Sequence, residues 1–155
     1  MSLSVTTPFT QRIPVRFHHT DPAGYVFFPR YFEMLQAAVE DWFNEALGLN
    51  YYDLVNNERL GLPTAHTECT FTKPCRLGDF LDLTLFLERI GNSSIRVRFV
   101  GMVDGEMRLE ARSVLVIISL NDGTPRRISE DLRMRLEAYM AGQGAQPDAP
   151  PARER

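Results

Sequence analysis

Phe17-His18-His19-Thr20-Asp21-Pro22-Ala23-Gly24-Tyr25-Val26-Phe27-Phe28-Pro29-Arg30-Tyr31-Phe32-Glu33 holds a turn, a helix start, two imidazoles and a carboxylate in one stretch. Asp21 first, Pro22 second and Gly24 fourth match a type I turn. Pro29 suits a first helical turn and Gly48 suits a helix stop. Between them Phe32, Leu35, Val39, Trp42, Phe43, Ala46 and Leu47 recur at helical spacing. Glu33, Gln36, Glu40 and Asn44 fall on another face. The spacing predicts an amphipathic helix over 29–47. Its two large aromatics make it the core helix.

Outward from this helix the pattern changes to strands. Upstream, Ile13, Val15 and Phe17 alternate with Arg16 and His18, so 12–18 is expected to be a strand. Pro14 places it at an edge. Downstream, Asn50 is a plausible cap for a short helix over 50–57. Strands are expected over 64–72, 80–90, 94–103 and 107–120. Leu81, Leu83, Leu85 and Leu87 share one face of the second of these. Asp104-Gly105 is a strong hairpin signal. Ser129 can cap a last helix to about residue 140. Strands that follow a helix in a run argue an α+β fold, with one apolar helix against one antiparallel sheet.

The chain has 155 residues, the length of one domain. Residues 1–140 are expected to form it. Residues 141–155 hold no large apolar side chain and are expected to be a disordered tail. The net charge is -3, which argues against nucleic acid as a partner. The apolar run Val114–Ile118 is far too short for membrane insertion. The N-terminal residues lack a basic start and an apolar core, so no secretory signal is expected. Cys69 and Cys75 then read as reduced thiols in a cytoplasmic protein. They lack the Cys/His company that a metal site needs.

Chemistry concentrates at the opening stretch. A helix N-terminus presents unpaired backbone N–H groups and partial positive charge, which can polarise a carbonyl. A carboxylate beside it can attack that carbonyl or deprotonate a water. On the residues alone, Asp21 is better explained as a turn former, and His18 and His19 as surface or satisfied histidines at a strand end.

The same run, F-H-H-T-D-P-A-G-Y-V-F-F-P-R-Y-F-E, resembles the signature of the 4-hydroxybenzoyl-CoA thioesterase family of hotdog-fold proteins. The order Pro74, Gly78, Asp79 followed by three long strands is similar to that family's downstream pattern. The resemblance implies a hotdog fold, in which a long central helix is wrapped by a curved antiparallel sheet of about five strands. It implies hydrolysis of an acyl-CoA thioester with no metal and no organic cofactor. It implies a homodimer or homotetramer with sites between subunits. Asp21 falls on the family's catalytic aspartate, as nucleophile or general base. The backbone N–H near Phe28 would polarise the thioester carbonyl. His19 falls where the family shows Asp or His, and is a second catalytic candidate. Tyr25 and Phe27 are candidates for the acyl pocket, and an aromatic acyl group fits them. Arg89, Arg126 and Arg127 are candidates for the CoA phosphates, which Arg suits by bidentate contact. The sequence departs from the pattern at His18, usually small, at Tyr25, usually aliphatic, and at Phe28, often Tyr.

Other polar residues have simpler readings. Glu33 and Glu40 are a fallback carboxylate pair on a solvated helix face. His66 and Glu68 are expected to form a polar pair across strands. Tyr51 and Tyr52 face either the substrate tunnel or the core. An acyl-carrier-protein thioesterase and a non-catalytic acyl-CoA-binding module are the alternative functions.

Overall fold

The computed structural model describes residues 7–150. Leu81, Leu83, Leu85 and Leu87 alternate along β4 (Phe80–Ile90), and all four are buried. Ile95, Val97 and Phe99 do the same along β5 (Ser94–Val103), as do Leu109, Ala111 and Leu115 along β6 (Glu106–Val116). Side chains two apart share a strand face, so these residues form one apolar surface. Asp104 and Gly105 join β5 to β6 with φ of 49° and 78°, the conformation of a type I′ hairpin turn. β1 (Phe9–Pro14) and β3 (Thr64–Phe71) complete an antiparallel sheet of order β1-β4-β5-β6-β3. β1 and β3 are therefore the edges, and Pro14 lies on one of them.

The helix α1 (Phe28–Asp41) packs on the apolar face through Tyr31, Met34, Leu35, Ala38 and Val39. It continues into a π-helical turn, Trp42–Ala46, and stops at Gly48 with φ of 67°. Trp42 and Phe43 are wholly buried there and meet edge to face at 5.4 Å. Then come α2 (Tyr51–Asn56), capped by the Asn50 side chain, and β2 (Leu60–Gly61). β2 pairs with β7 (Ile118–Ser119) in a separate small ladder. The last helix, α3 (Glu130–Gly142), is capped by Ser129, whose Oγ accepts from Leu132 N–H at 3.2 Å. Tyr139 on α3 donates to Leu85 O and accepts from Phe9 N–H at 2.8 Å, which ties α3 to both β1 and β4. A central helix on a five-stranded antiparallel sheet is the hotdog arrangement.

Four expectations are corrected. The first strand is Phe9–Pro14, not 12–18. Arg16–His19 instead closes a 3-10 turn, with His19 N–H on Arg16 O and Thr20 N–H on Phe17 O, and Phe17 is 82% exposed. The alternation there continues past the last sheet partner. Phe32 and Ala46 do not join the buried stripe, which runs through Tyr31, Met34 and Ala38. Tyr31, Met34, Leu35, Ala38, Val39, Trp42 and Phe43 keep ordinary helical spacing, which leaves Phe32 on the flank, and the π turn carries Ala46 outward. The strand over 107–120 breaks at Ile117, where the chain leaves β6 for β7.

The fourth concerns the segment beyond residue 140. α3 runs to Gly142, and the chain beyond it stays on the sheet as far as Asp148. The Gln143 amide donates to Leu87 O at 2.9 Å and accepts from Leu87 N–H at 2.8 Å. It supplies the neighbour that β1, whose pairing ends at Leu85, does not. Arg98 points outward from the sheet. It donates to Glu110 Oε2 from Nη2 at 2.6 Å and to Pro147 O at 2.6 Å. Residues 151–155 lie outside the described residues.

Candidate active site

Asp21 anchors its own loop. Its Oδ1 accepts from Ala23 N–H at 2.9 Å and from Tyr25 N–H at 3.4 Å. Asp21 N–H donates to Tyr25 O and Gly24 N–H to Asp21 O, both at 2.9 Å. Gly24 has φ of 82°, a left-handed conformation that suits glycine. Oδ2 makes no hydrogen bond among the described residues. The turn is therefore real, and it leaves one carboxylate oxygen free.

The loop lies on the 74–79 break. Val26 N–H donates to Cys75 O at 2.9 Å and Leu77 N–H to Gly24 O at 3.0 Å. The break is itself braced, with Arg76 N–H on Asp79 Oδ2 at 2.8 Å and Gly78 N–H on Val15 O at 3.0 Å. The Arg76 guanidinium sits 5.5 Å from the Tyr25 ring centre, so Arg76 is a cation beside the Asp21 loop. The sequence pattern does not point to it. The signal is the break itself, whose partner is only visible in the fold.

The loop delivers the chain to α1. Phe27 N–H donates to His19 O at 2.9 Å, and Phe27 gives α1 no side-chain cap. Pro29 contributes no N–H, so Phe28 supplies the leading backbone donor of an uncapped helix end. Phe27, Phe28 and Phe32 then form an aromatic ladder, edge to face at 6.1 and 6.2 Å. All three are exposed. The ladder leads to a cavity of about 250 Å³ between α1 and the sheet, bordered by Phe32, Leu35, Gln36, Thr67, Ser113 and Leu115. Neither Tyr25 nor Phe27 borders it. Tyr25 is held at Arg76 instead.

His19 lies on the other flank of α1. It borders a groove of about 310 Å³ with Arg30, Glu33 and Met34. Its Nδ1 accepts from Arg16 N–H at 2.8 Å, which leaves the neutral ring's proton on Nε2. Partial burial and then the charges of His18, Arg16 and Arg30 lower its pKa, which favours the neutral ring. The His18 ring centre lies 4.0 Å from that of His19, with the two rings tilted by 48°. No hydrogen bond joins His19 to Asp21 among the described residues.

The remaining candidates are dispersed. Arg126 and Arg127 border an open hollow of about 430 Å³ with Asn92 and Ser93. Arg89 is exposed on β4, opposite Arg96, and does not border that hollow. Glu33 pairs with Arg30 at 2.8 Å, and Glu40 accepts from Gln36 at 3.4 Å. His66 and Glu68 bond each other at 3.1 Å along one strand, not across two. Tyr51 packs on Phe43, and Tyr52 is exposed. Burial pushes the Cys69 thiol up to about 11 and raises that of Cys75. No cluster of three or more His, Cys, Asp or Glu suited to a metal occurs among the described residues. No helix among them is long and apolar enough to cross a membrane.

The model of the thioesterase-like superfamily matches residues 15–136, from the approach to the Asp21 loop to the middle of α3. The chain belongs to the thioesterase-like superfamily. A 1,4-dihydroxy-2-naphthoyl-CoA hydrolase from Nostoc punctiforme is 26% identical over 83% of this chain and 86% of its own. A 1,4-dihydroxy-2-naphthoyl-CoA thioesterase from Synechocystis superposes with a TM-score of 0.75 at 21% identity, over 83% of this chain and 94% of its own. A Staphylococcus aureus protein solved in complex with CoA superposes with a TM-score of 0.85 at 16% identity, over 96% of this chain and 94% of its own. These likenesses show the fold.

As a member of this superfamily the protein is a hotdog acyl-CoA thioesterase. The narrower likeness to 4-hydroxybenzoyl-CoA thioesterase is not reproduced: the relatives from Nostoc punctiforme and Synechocystis are named for 1,4-dihydroxy-2-naphthoyl-CoA. Asp21 and the uncapped start of α1 are the two features of this thioesterase that its geometry puts side by side in the chain path. His19 and the arginine candidates lie apart from the cavity.

Proposed function

We propose that this thioesterase hydrolyses an aromatic acyl-CoA to the free acid and CoA, with Asp21 as its essential carboxylate. The observation that carries the reading is the free Oδ2 of Asp21 in a loop that runs straight into an uncapped helix end. The thioester carbonyl accepts from Phe28 N–H at the start of α1. Asp21 then attacks the carbonyl carbon, expelling CoA as the thiolate and leaving an anhydride that water opens to the free acid, or takes a proton from a water that attacks the carbonyl and expels the thiolate. Either route builds negative charge on the carbonyl oxygen, where a fixed backbone donor is worth roughly 10²–10³ in rate. The acyl group extends along the aromatic ladder into the cavity beside Phe32. The relatives named for a hydroxynaphthoyl group support an aromatic acid. Arg126 and Arg127 hold CoA phosphates in their open hollow. A second copy of the chain completes the site along the exposed aromatic ladder and the open edge of β3.

The test is CoA release, followed by thiol titration, across aromatic, short-chain and long-chain acyl-CoAs. Aromatic thioesters are expected to turn over fastest, and Asp21→Asn to lower their kcat by roughly 10²–10⁴. Turnover of aliphatic thioesters alone would overturn the aromatic reading. Undiminished turnover by Asp21→Asn would overturn the catalytic one.

A further inference from the structure

The inner face of the sheet is built mainly from Leu, Ile, Val, Phe and Ala, and where it borders the cavity the polar side chains on it are Thr64, Thr67 and Ser113. Thr67 on β3 and Ser113 on β6 stand directly opposite each other, and their hydroxyls lie 2.7 Å apart. Ser113 is only 4% exposed. Gln36 on α1 borders the same space. Buried hydroxyls on an apolar wall are costly unless they are bonded. The pair contains two O–H hydrogens, and the bond between them uses one. The second finds no acceptor among the described residues, and the cavity is the space it faces. The walls around it, Leu35, Val39, Phe99 and Leu115, are apolar.

Size narrows the occupant. A cavity of about 150 Å³ lined by aliphatic and aromatic side chains takes a benzene ring. This one is about 250 Å³, which has room for a fused second ring. Its helical wall runs from Phe32 to Val39, about 10 Å along the axis. It begins one turn beyond Phe28, so an acyl group held by its carbonyl at Phe28 points its far end into the cavity.

We propose that Thr67 and Ser113 are specificity residues that hydrogen-bond a ring hydroxyl at the far end of the acyl group, so that the cavity selects hydroxylated over plain two-ring aryl acids. The proposal rests on the aromatic acyl-CoA reading above. It assigns no step of the hydrolysis to either residue. The free hydrogen of the pair goes to the ring oxygen, or a lone pair of the pair accepts the ring O–H. A plain ring satisfies neither, so discrimination comes from the unmet hydroxyl as well as from the bond.

Binding of the free acids tests this without turnover. The full-length protein is titrated calorimetrically with 6-hydroxy-2-naphthoate and with 2-naphthoate. The hydroxylated acid is expected to bind about tenfold tighter, the scale of one neutral hydrogen bond. Thr67→Val with Ser113→Ala is expected to remove that ratio, and Thr67→Ser, which keeps the hydroxyl, to retain it. Equal affinities in the unaltered protein, no binding of either acid, or a ratio that survives the double substitution would each overturn the proposal. Should the double variant fail to fold, the unaltered protein and Thr67→Ser still decide it. Turnover by Asp21→Asn is scored separately, so loss of the hydrolytic reading and loss of this one give different results.

Discussion

One oxygen of Asp21 serves the loop and the other makes no hydrogen bond among the described residues, which separates its structural contribution from the chemical role proposed for it. Asparagine keeps an oxygen that can accept from Ala23 and Tyr25 but has no negative charge. Asp21→Asn should therefore keep its urea midpoint while kcat falls by roughly 10²–10⁴, the scale of a lost acid/base or nucleophilic group. Asp21→Ala should lose the loop bonds as well and be less stable by about 1 kcal/mol. A fall in stability of Asp21→Asn matching that of Asp21→Ala would mean that charge matters to the fold and not only to the reaction. His19 makes a second residue-scale prediction. Its folded-state pKa lies below the ordinary 6.5, through burial first and neighbouring cations next. Between the two values the unfolded chain binds more protons, so stability rises with pH. The contribution is complete above the unfolded value and is lost as pH falls through the folded one. Urea unfolding of the protein and of His19→Asn across pH 5–8 checks it, since the gap should close on the acid side. At this scale the turn at Asp21 is legible in the sequence because its neighbours form a contiguous motif. Thr67 and Ser113 are not, because single hydroxyl residues on strands are ordinary and only the register sets them opposite each other.

Elements were legible where a period was clean. β4 and β5 have the bounds their alternation predicts, and Asn50 and Ser129 cap the helices expected of them. Phe32 sits at the margin of the α1 stripe, where spacing alone does not decide burial, and Ala46 is turned outward by a π turn that no residue in 42–46 announces. The outward face of the sheet is not legible for a different reason. Alternation assigns Phe86, Arg98, Val100 and Glu110 to solvent, yet all four are buried. The segment after α3 lies on that face, and a composition without large apolar residues gives no sign of it. Arg98 has a buried partner in Glu110 and tail carbonyls for its other donors. Glu110 also accepts from Arg112 at 3.0 Å, which in turn reaches Glu88 at 2.9 Å. Removing Arg98 leaves Glu110 with one partner and the tail carbonyls with none. Arg98→Ala should cost about 3 kcal/mol, the lower end for a broken buried pair. Arg98→Leu with Glu110→Leu should recover most of it, because that variant leaves no uncompensated buried charge. Urea midpoints of the three proteins check the order, and equal losses in the single and double variants would mean that packing, not charge, is what Arg98 supplies.

At the scale of the whole molecule, the surface is uneven. Phe27, Phe28, Phe32, Leu77 and Phe80 are exposed, and large exposed apolar side chains in company mark an interaction surface. β3 adds an open strand edge next to the cavity. An open edge of this length is normally covered, charged or paired. Which of its groups are free follows from one bond. Thr72 N–H donates to Arg108 O, so the N–H groups of Thr70, Glu68 and His66 also point to β6. Those of Phe71, Cys69 and Thr67 point away from the sheet. The same parity makes Thr67 and Ser113 a non-hydrogen-bonded pair, the kind whose side chains approach most closely. If a second copy pairs along this edge, Cys69 N–H is a central donor of the new ladder. Cys69→Pro removes that donor without taking one from β6, and proline is tolerated on an edge strand whose N–H faces outward. Light scattering should then give twice the 17.7 kDa chain mass for the unaltered protein, or a higher multiple, and about one chain mass for Cys69→Pro. Thioesterase activity should fall with the mass, because the partner closes the open side of the cavity, while circular dichroism keeps the native signature. A monomeric variant that remains fully active would place the whole site within one chain, and a variant that still dimerises would move the interface from β3 to the aromatic ladder alone.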